Sequence, residues 1–375
     1  MRERSARARL RRRASAGRPG FRGVRHDSRR PRPARSPLCP RRVAGDIAAR
    51  DSHSPDHPAV NDHVPFIGPD EAARLLDHGV LVERLRDAFL APPIAPSRLA
   101  VPLDDGDSTM LVMPVARPGG LAGVKLVTVH PALSDRPEGA VRALCMAIEA
   151  ATGAPLAIID GNSVTHRRTA ATSVLAARAL ARADADSILV VGAGHVAQAL
   201  CECYSALMAP RRLLVWARRP DAAAALTRRL AGQGIAAAPV ADLRAAVREA
   251  DIVSVATLAR QPLILGADVR PGTHVDLVGG FTPAMREADD DLIGKAVLVA
   301  DGIGALDTAG DLAGPIERGV VDRRNIRLLA EVLADPRRGR RDAEDITLFK
   351  SVGHALEDLA AMELIVEGML PARRG

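Results

Sequence analysis

"SILVVGAGHVAQAL", residues 187–200, runs a string of strand-forming residues into Gly192, Gly194 and Ala197 and then opens a helix. The spacing G-x-G-x-x-A has a physical reading. Gly192 permits a tight turn, Gly194 lets the backbone approach a pyrophosphate, and Ala197 lets helix and strand pack closely. The helix N-terminus then faces the anion. A tight strand-to-helix turn with no ligand is the plain alternative, but this context is the one that dinucleotide binding requires.

From Ser187 onward strand and helix alternate. "RLLVWA", "IAAAPV", "DIVSVAT", "HVDLVGG" and "KAVLVAD" read as strands, mostly separated by helix-length stretches of Ala, Leu and Arg. Unalternating apolar strands with helical crossovers predict an α/β fold on a Rossmann-type, doubly wound parallel sheet. Upstream, "GPDEAARLLDHGVLVERLRDAFLAPP" reads as two amphipathic helices, and "RLAVPL", "TMLVMPV" and "LAGVKLVTV" as strands. "GAVRALCMAIEAATGAPLAIIDG" adds strand signals around Thr152-Gly153, its first half being equally open to a helix. Together these make an α+β domain ending near Thr165. The helical "RRTAATSVLAARALARADA" follows it, and "GRRDAEDITLFKSVGHALEDLAAMELIVEG" closes the chain as a loop, a Gly punctuation and an amphipathic helix.

A chain of 375 residues, 47% of them hydrophobic, can bury a large core divided between two domains. Its net charge of +7 and pI near 10 are those of a nucleic-acid binder, but the charge is badly distributed. Residues 1–60 hold 17 Arg against 5 acids, a balance of +12, so the rest of the chain carries −5. That Arg-, Pro- and Gly-rich extension, residues 1–61, has no apolar periodicity and is expected to be disordered. It has no secretory apolar run. A transit peptide, an RNA-binding arm and an extension with no part in the chemistry all fit its composition.

With 1 Trp and 1 Tyr the chain lacks a stacking platform for single strands, and no apolar run approaches a membrane span. Cys39, Cys145, Cys201 and Cys203 show neither disulfide nor zinc spacing. A cytoplasmic protein with no metal site and no nucleic-acid or membrane partner is expected.

The second strand of the sheet ends in Ala217, Arg218 and Arg219, where an NAD-specific site would place an acid for the ribose. A guanidinium suits a 2′-phosphate, so NADP(H) is favoured over NAD(H), although solvated arginines fit the same residues. Arg98, Lys125 and Arg168 fall at predicted strand ends and a helix entry of the first domain. They are ordinary surface cations or, if the fold brings them together, a clamp for a small carboxylate. Lysine is scarce beside 49 Arg, which singles out Lys125 and Lys350. His130, His166 and Arg167 have no assignable role.

"GVKLV", "VTHRRTAATS", "GAGHVA", "VGGFTPAMRE" and "LFKSVGHALEDLA", in this order across about residues 65–370, resemble the ornithine cyclodeaminase/mu-crystallin family. The resemblance implies a homodimer in which a split domain, residues 62–166 and 341–375, binds substrate and dimerises. Residues 167–340 would form the Rossmann domain. Arg98, Lys125 and Arg168 fall on the family's carboxylate-binding positions. Thr169, Gly192, Gly194, His195, Val196 and Ala197 fall on cofactor positions, Arg218 and Arg219 on the 2′-phosphate region, and Thr257 on a loop near the ribose or nicotinamide. Lys350, Val352 and Gly353 match the segment that closes over the nicotinamide.

The departure is Phe281 in "GGFTPAMRE", where the cyclodeaminase branch has an aspartate as acid/base. In lacking it the chain is similar to the reductase branch, which acts on cyclic ketimino acids. The resemblance therefore implies NADPH-dependent reduction of Δ1-pyrroline-2-carboxylate or Δ1-piperideine-2-carboxylate, with Phe281 as a dry wall. Ornithine cyclodeamination, amino-acid dehydrogenation and non-catalytic NADP(H)-dependent binding are the alternatives.

Overall fold

Two sheets carry the chain, and the second is ordered as residues 187–200 predict. The computed structural model describes residues 63–133, 136 and 139–369; the Arg-rich extension lies outside them. The first sheet holds β1 (Phe66–Ile67), β2 (Leu99–Pro102), β3 (Thr109–Ala116), β4 (Leu121–Val129), β5 (Val141–Glu149) and β6 (Pro155–Asp160), in the order β1-β6-β5-β4-β3-β2. β1 pairs parallel with β6 and the other pairs are antiparallel. The helices α1 (Pro69–Leu75) and α2 (His78–Leu90) follow β1. The open alternative for residues 141–149 resolves as strand, with its inward residues Cys145 and Ala147 fully buried.

α3 (Gly161–Leu180) leads to the second sheet, comprising β7 (Ser187–Val191), β8 (Arg212–Trp216), β9 (Ala238–Pro239), β10 (Ile252–Val255), β11 (His274–Leu277), β12 (Val297–Ala300), β13 (Arg327–Leu328) and β14 (Thr347–Lys350). All neighbours are parallel, in the order β13-β12-β14-β11-β10-β7-β8-β9. The chain runs one way through β7, β8 and β9 and then returns to the other side of β7 with β10. The β7/β10 boundary is therefore the switch point where such sheets open a crevice. The remaining helices are α4 (His195–Met208), α5 (Pro220–Gly232), α6 (Leu243–Glu249), α7 (Asp290–Lys295), α8 (Ala305–Thr308), α9 (Gly310–Glu317), α10 (Leu329–Ala334) and α11 (Ala355–Met369).

The expected boundaries shift. The divide at 166/167 falls inside α3, whose small residues let it pack against strands of both sheets. Residues 347–350, expected within a loop of the first domain, form β14 between β11 and β12 of the second sheet. Thr347–Lys350 is only four residues long, follows the polar "GRRDAED" and ends in a lysine, so it lacks the apolar run that marks β7 or β10. Only α11 returns, packing on α2, α3 and β4. It is not the amphipathic helix expected, because it buries ten of its fifteen residues, Glu357 and Asp358 included. Among the described residues no helix is long and apolar enough to cross a membrane.

A polar island sits under the second sheet. Ser254 Oγ donates to Asp276 Oδ2 at 2.6 Å, and the hydroxyls of Tyr204 and Ser173 are buried without partners. Burial pushes the Asp276 carboxyl up to about 6. The folded state then holds this proton more tightly than the unfolded chain, so the resulting stability is present below about pH 4 and lost as pH rises through 6. Asp276→Asn, an isostere of the protonated acid, should match wild type near pH 4. It should gain on wild type by up to about 3 kcal/mol at pH 8 in urea melts, and a pH-independent difference would contradict this.

Candidate active site

At the end of β7 Gly192 takes φ +134°, and any side chain there would collide with the Ala256 carbonyl. Gly194 caps α4 with extended backbone and no side-chain cap bond, and a Cβ built on it meets nothing within 4 Å. The result is an open cradle in front of unsatisfied first-turn amides, and it fits a dinucleotide phosphate. Gly194, His195, Val196 and Ala197 line a cleft of about 740 Å³, which continues along Thr257 and Leu258 after β10 and Val278, Gly279 and Phe281 after β11. Arg218 and Arg219 are exposed past the end of β8 and lie outside that cleft.

The first sheet supplies the facing half. Arg98, Lys125, Arg168 and Thr169 all line the same cleft, so the three candidate cations converge. Their settings differ from the sequence reading. Arg98 precedes β2 as expected, but Lys125 sits in the middle of β4 and Arg168 about two turns into α3. Lys125 Nζ donates to Asp358 Oδ1 at 2.6 Å, and burial lowers its pKa. Arg168 donates to Glu357 Oε2 at 2.5 Å and lies 3.1 Å from Asp358 Oδ1. Burial pushes the Glu357 carboxyl up to about 7. Arg98 is the clamp cation with no carboxylate in ion-pair contact among the described residues; it donates to Thr308 Oγ1 at 3.2 Å and to the Val352 carbonyl at 3.4 Å. The wall between clamp and cradle is aliphatic, with Leu111, Met113, Val127, Val129 and Val141.

Residues 81–372 match the ornithine cyclodeaminase/mu-crystallin family. The chain belongs to that family. Δ1-Pyrroline-2-carboxylate reductase of Paracoccus denitrificans is 39% identical over 326 residues, 86% of this chain and 99% of its own length. Among solved structures, Thermococcus litoralis Δ1-pyrroline-2-carboxylate reductase in complex with NADH and L-proline is 31% identical with a TM-score of 0.77, covering 81% of this chain and 97% of its own. An archaeal alanine dehydrogenase dimer with bound NAD is 26% identical with a TM-score of 0.74, covering 81% and 95%.

Of the segment that the family pattern places over the nicotinamide, Ser351, Val352 and Gly353 line the cleft and Lys350 does not. Lys350 is wholly buried, with Nζ 3.2 Å from Asp311 Oδ2 and 3.9 Å from Glu287 Oε2, so its ammonium faces buried acids behind the cleft lining. Glu287 was not legible as a site residue. Its Oε1 accepts from the Thr257 amide and hydroxyl at 2.8 Å each, and its Oε2 from the Gly279 amide at 2.8 Å, tying the loops after β10 and β11 together. His166, left without a role, stacks on His195 with ring centroids 5.2 Å apart. Burial, reinforced by His195, pushes it down to about 4, so it lines the cleft as a neutral ring. Arg167 turns away to His78 and Glu202. Acids three and four places after "KSVGH" pairing with an arginine in "HRRTAA" make a long-range relation that spacing alone does not reveal.

These pairings separate two kinds of cation. Arg168→Ala strands Glu357 in the interior, leaving Asp358 with Lys125 alone, and should lower stability by about 3–5 kcal/mol. Arg98→Ala strands no acid, and should leave the melting temperature near wild type while weakening the binding of a small carboxylate in the cleft by about 10-fold or more. Equal melting temperatures for the two variants would show that the Arg168 pairing is not what stabilises the helix.

Proposed function

We propose that this chain reduces Δ1-pyrroline-2-carboxylate to proline and Δ1-piperideine-2-carboxylate to pipecolate, with NADPH as the preferred cofactor and NADH as a poorer one. The chain is an oxidoreductase whose relatives act on C=N groups. The observation that carries the reading is that Arg98, Lys125 and Arg168, the open turn at Gly194–Ala197 and an apolar wall that includes Phe281 all line one cleft. Lys125 and Arg168 are paired with Asp358 and Glu357, which leaves Arg98 as the cation of the three with no ion-pair partner among the described residues, available to one substrate carboxylate.

When bound, the nicotinamide supplies a hydride to the imine carbon. The residues of the chain orient and desolvate. Arg98 takes the carboxylate, and Lys125 and Arg168, each fixed by α11, limit how that carboxylate can turn. Phe281, Leu258 and Val127 exclude water from the ring. Cyclodeamination needs a poised acid or base at the reacting carbon. Among the described residues the one carboxylate lining the cleft is Asp160, and its Oδ1 is engaged in capping α3 through the Ser163 amide at 2.7 Å. A cyclic imine can instead arrive protonated, so that hydride addition completes the amine.

The preference for NADPH rests on Arg218 and Arg219, which are exposed beside the N-terminus of α5. A charge-assisted contact to the 2′-phosphate is worth about 1.5–3 kcal/mol, or roughly 10- to 150-fold in kcat/KM. One panel tests the reading: both cyclic imines with each cofactor, and ornithine in reverse. NADPH should lead by at least about 10-fold, Arg218→Ala should narrow that lead, and the rate should fall as pH rises and free imine replaces iminium. Ammonia and proline formed from ornithine would overturn the assignment.

A homodimer is part of the same proposal. The outer face of the first sheet is apolar in two cross-strand rows, Leu99–Val112–Leu126–Leu144 and Pro114–Val124–Met146–Ile158–Phe66. Leu99 and Phe66 are each 60% exposed, a poor arrangement in water and a good one against a second copy. Light scattering should give twice the chain mass for wild type and a monomer for the double variant Leu126→Glu, Leu144→Glu. A monomeric wild type would refute the dimer.

A further inference from the structure

Asp301 closes β12 and is 4% exposed. Its Oδ2 accepts three hydrogen bonds from one short strap: the Val352 and Gly353 amides at 2.7 Å each, and the Ser351 hydroxyl at 3.1 Å. All three strap residues line the cleft at the end of β14, next to the loops of β10 and β11 that Glu287 ties together. From the opposite side the strap meets two of the clamp cations. Arg98 reaches the Val352 carbonyl, and the Arg168 guanidinium lies so close to Gly353 that a Cβ there would be 2.6 Å from Nη2. Gly353 holds φ +82°, a conformation that a side chain would strain even with the space available. The strap is thus fixed below by one carboxylate and pressed above by the groups that hold the substrate.

We propose that Asp301 is a positioning residue that makes the 351–353 strap a shared wall, so that a carboxylate at the Arg98–Arg168 clamp and a nicotinamide on the strap strengthen each other's binding. The inference rests on the reading that both ligands share this cleft, and goes beyond it in naming the coupling element. The physical reason is rigidity. Two neighbouring amides bound to the same carboxylate oxygen at 2.7 Å each fix the strap as one piece. An arginine that shifts toward a substrate carboxylate changes its grip on Val352, and a fixed strap carries that change to the cofactor side. A strap free to flex would absorb it. The linkage is reciprocal, so it can be read from either ligand.

The test uses the dead-end pair NADPH and L-proline, which cannot react with one another. NADPH binding is titrated by its fluorescence with and without saturating L-proline, and L-proline binding by calorimetry with and without NADPH. Wild type should show mutual tightening of about 5-fold or more. In Asp301→Asn the factor should fall to within about 2-fold of unity, while NADPH alone still binds through the Gly192–Ala197 turn. General loss of stability would weaken both affinities without abolishing their ratio. If Asp301→Asn does not fold, Ser351→Ala, which removes only the 3.1 Å bond, is read in the same way and should reduce the factor. Wild-type coupling in a folded variant, or no coupling in wild type, overturns the proposal. Failure of wild type to bind L-proline at all would instead overturn the reading of the cleft, and this inference with it.

Discussion

Charges taken out of water must be answered inside the protein, and the site is organised around how this fold answers them. Lys125, Arg168 and Lys350 are buried, as are Glu287, Asp301, Asp311, Glu357 and Asp358. Stranding any one of them is expensive, whereas a matched set is tolerable and geometrically demanding. The acids come from the second half of the chain and two of the cations from the first, so pairing them draws α11 back onto the first sheet. The return of α11 to the first sheet is in this sense an electrostatic closure. The helix returns because its Glu357 and Asp358 have their partners on β4 and α3.

The same pairings alter what the clamp is. Three unpaired cations would bind almost any small anion. Here Lys125 and Arg168 are held by α11, and Arg98 keeps its charge available while it is tied by hydrogen bonds to Thr308 and Val352. Selection then falls to shape. An aliphatic wall lies on one side, a stacked pair of imidazoles on another, and Phe281 at the turn after β11.

Local patterns in the sequence carried much of the fold. The glycine turn at 192–197, the two opening helices and all but the shortest strands obey periodicity or turn chemistry within a window of about ten residues. β14 escaped because its four residues follow a polar stretch and end in a lysine, and β13 because two residues offer no pattern. The cations of the site were found as residue types, while their environments were not. Whether Lys350 faces a cofactor or a buried acid depends on Glu287 and Asp311, neither of them near it in sequence. Glu287 and Asp301 looked like ordinary acids near turns, and only the folded backbone shows how many amides converge on each.

α3 is one unbroken helix that begins under the first sheet and ends against the second, with Thr165, His166, Arg168 and Thr169 on its cleft side. It works as a caliper of fixed opening. Because both jaws are set on the same rod, the gap between carboxylate clamp and dinucleotide turn cannot be widened by swinging one half away at this connection. A lineage that took up a larger or smaller ring would have to carve or fill the side walls at positions such as Met113, Val127 and Leu258, leaving the rod and its charges untouched. Substrate range in this architecture is therefore a matter of upholstery, and the distance over which hydride must travel is part of the frame.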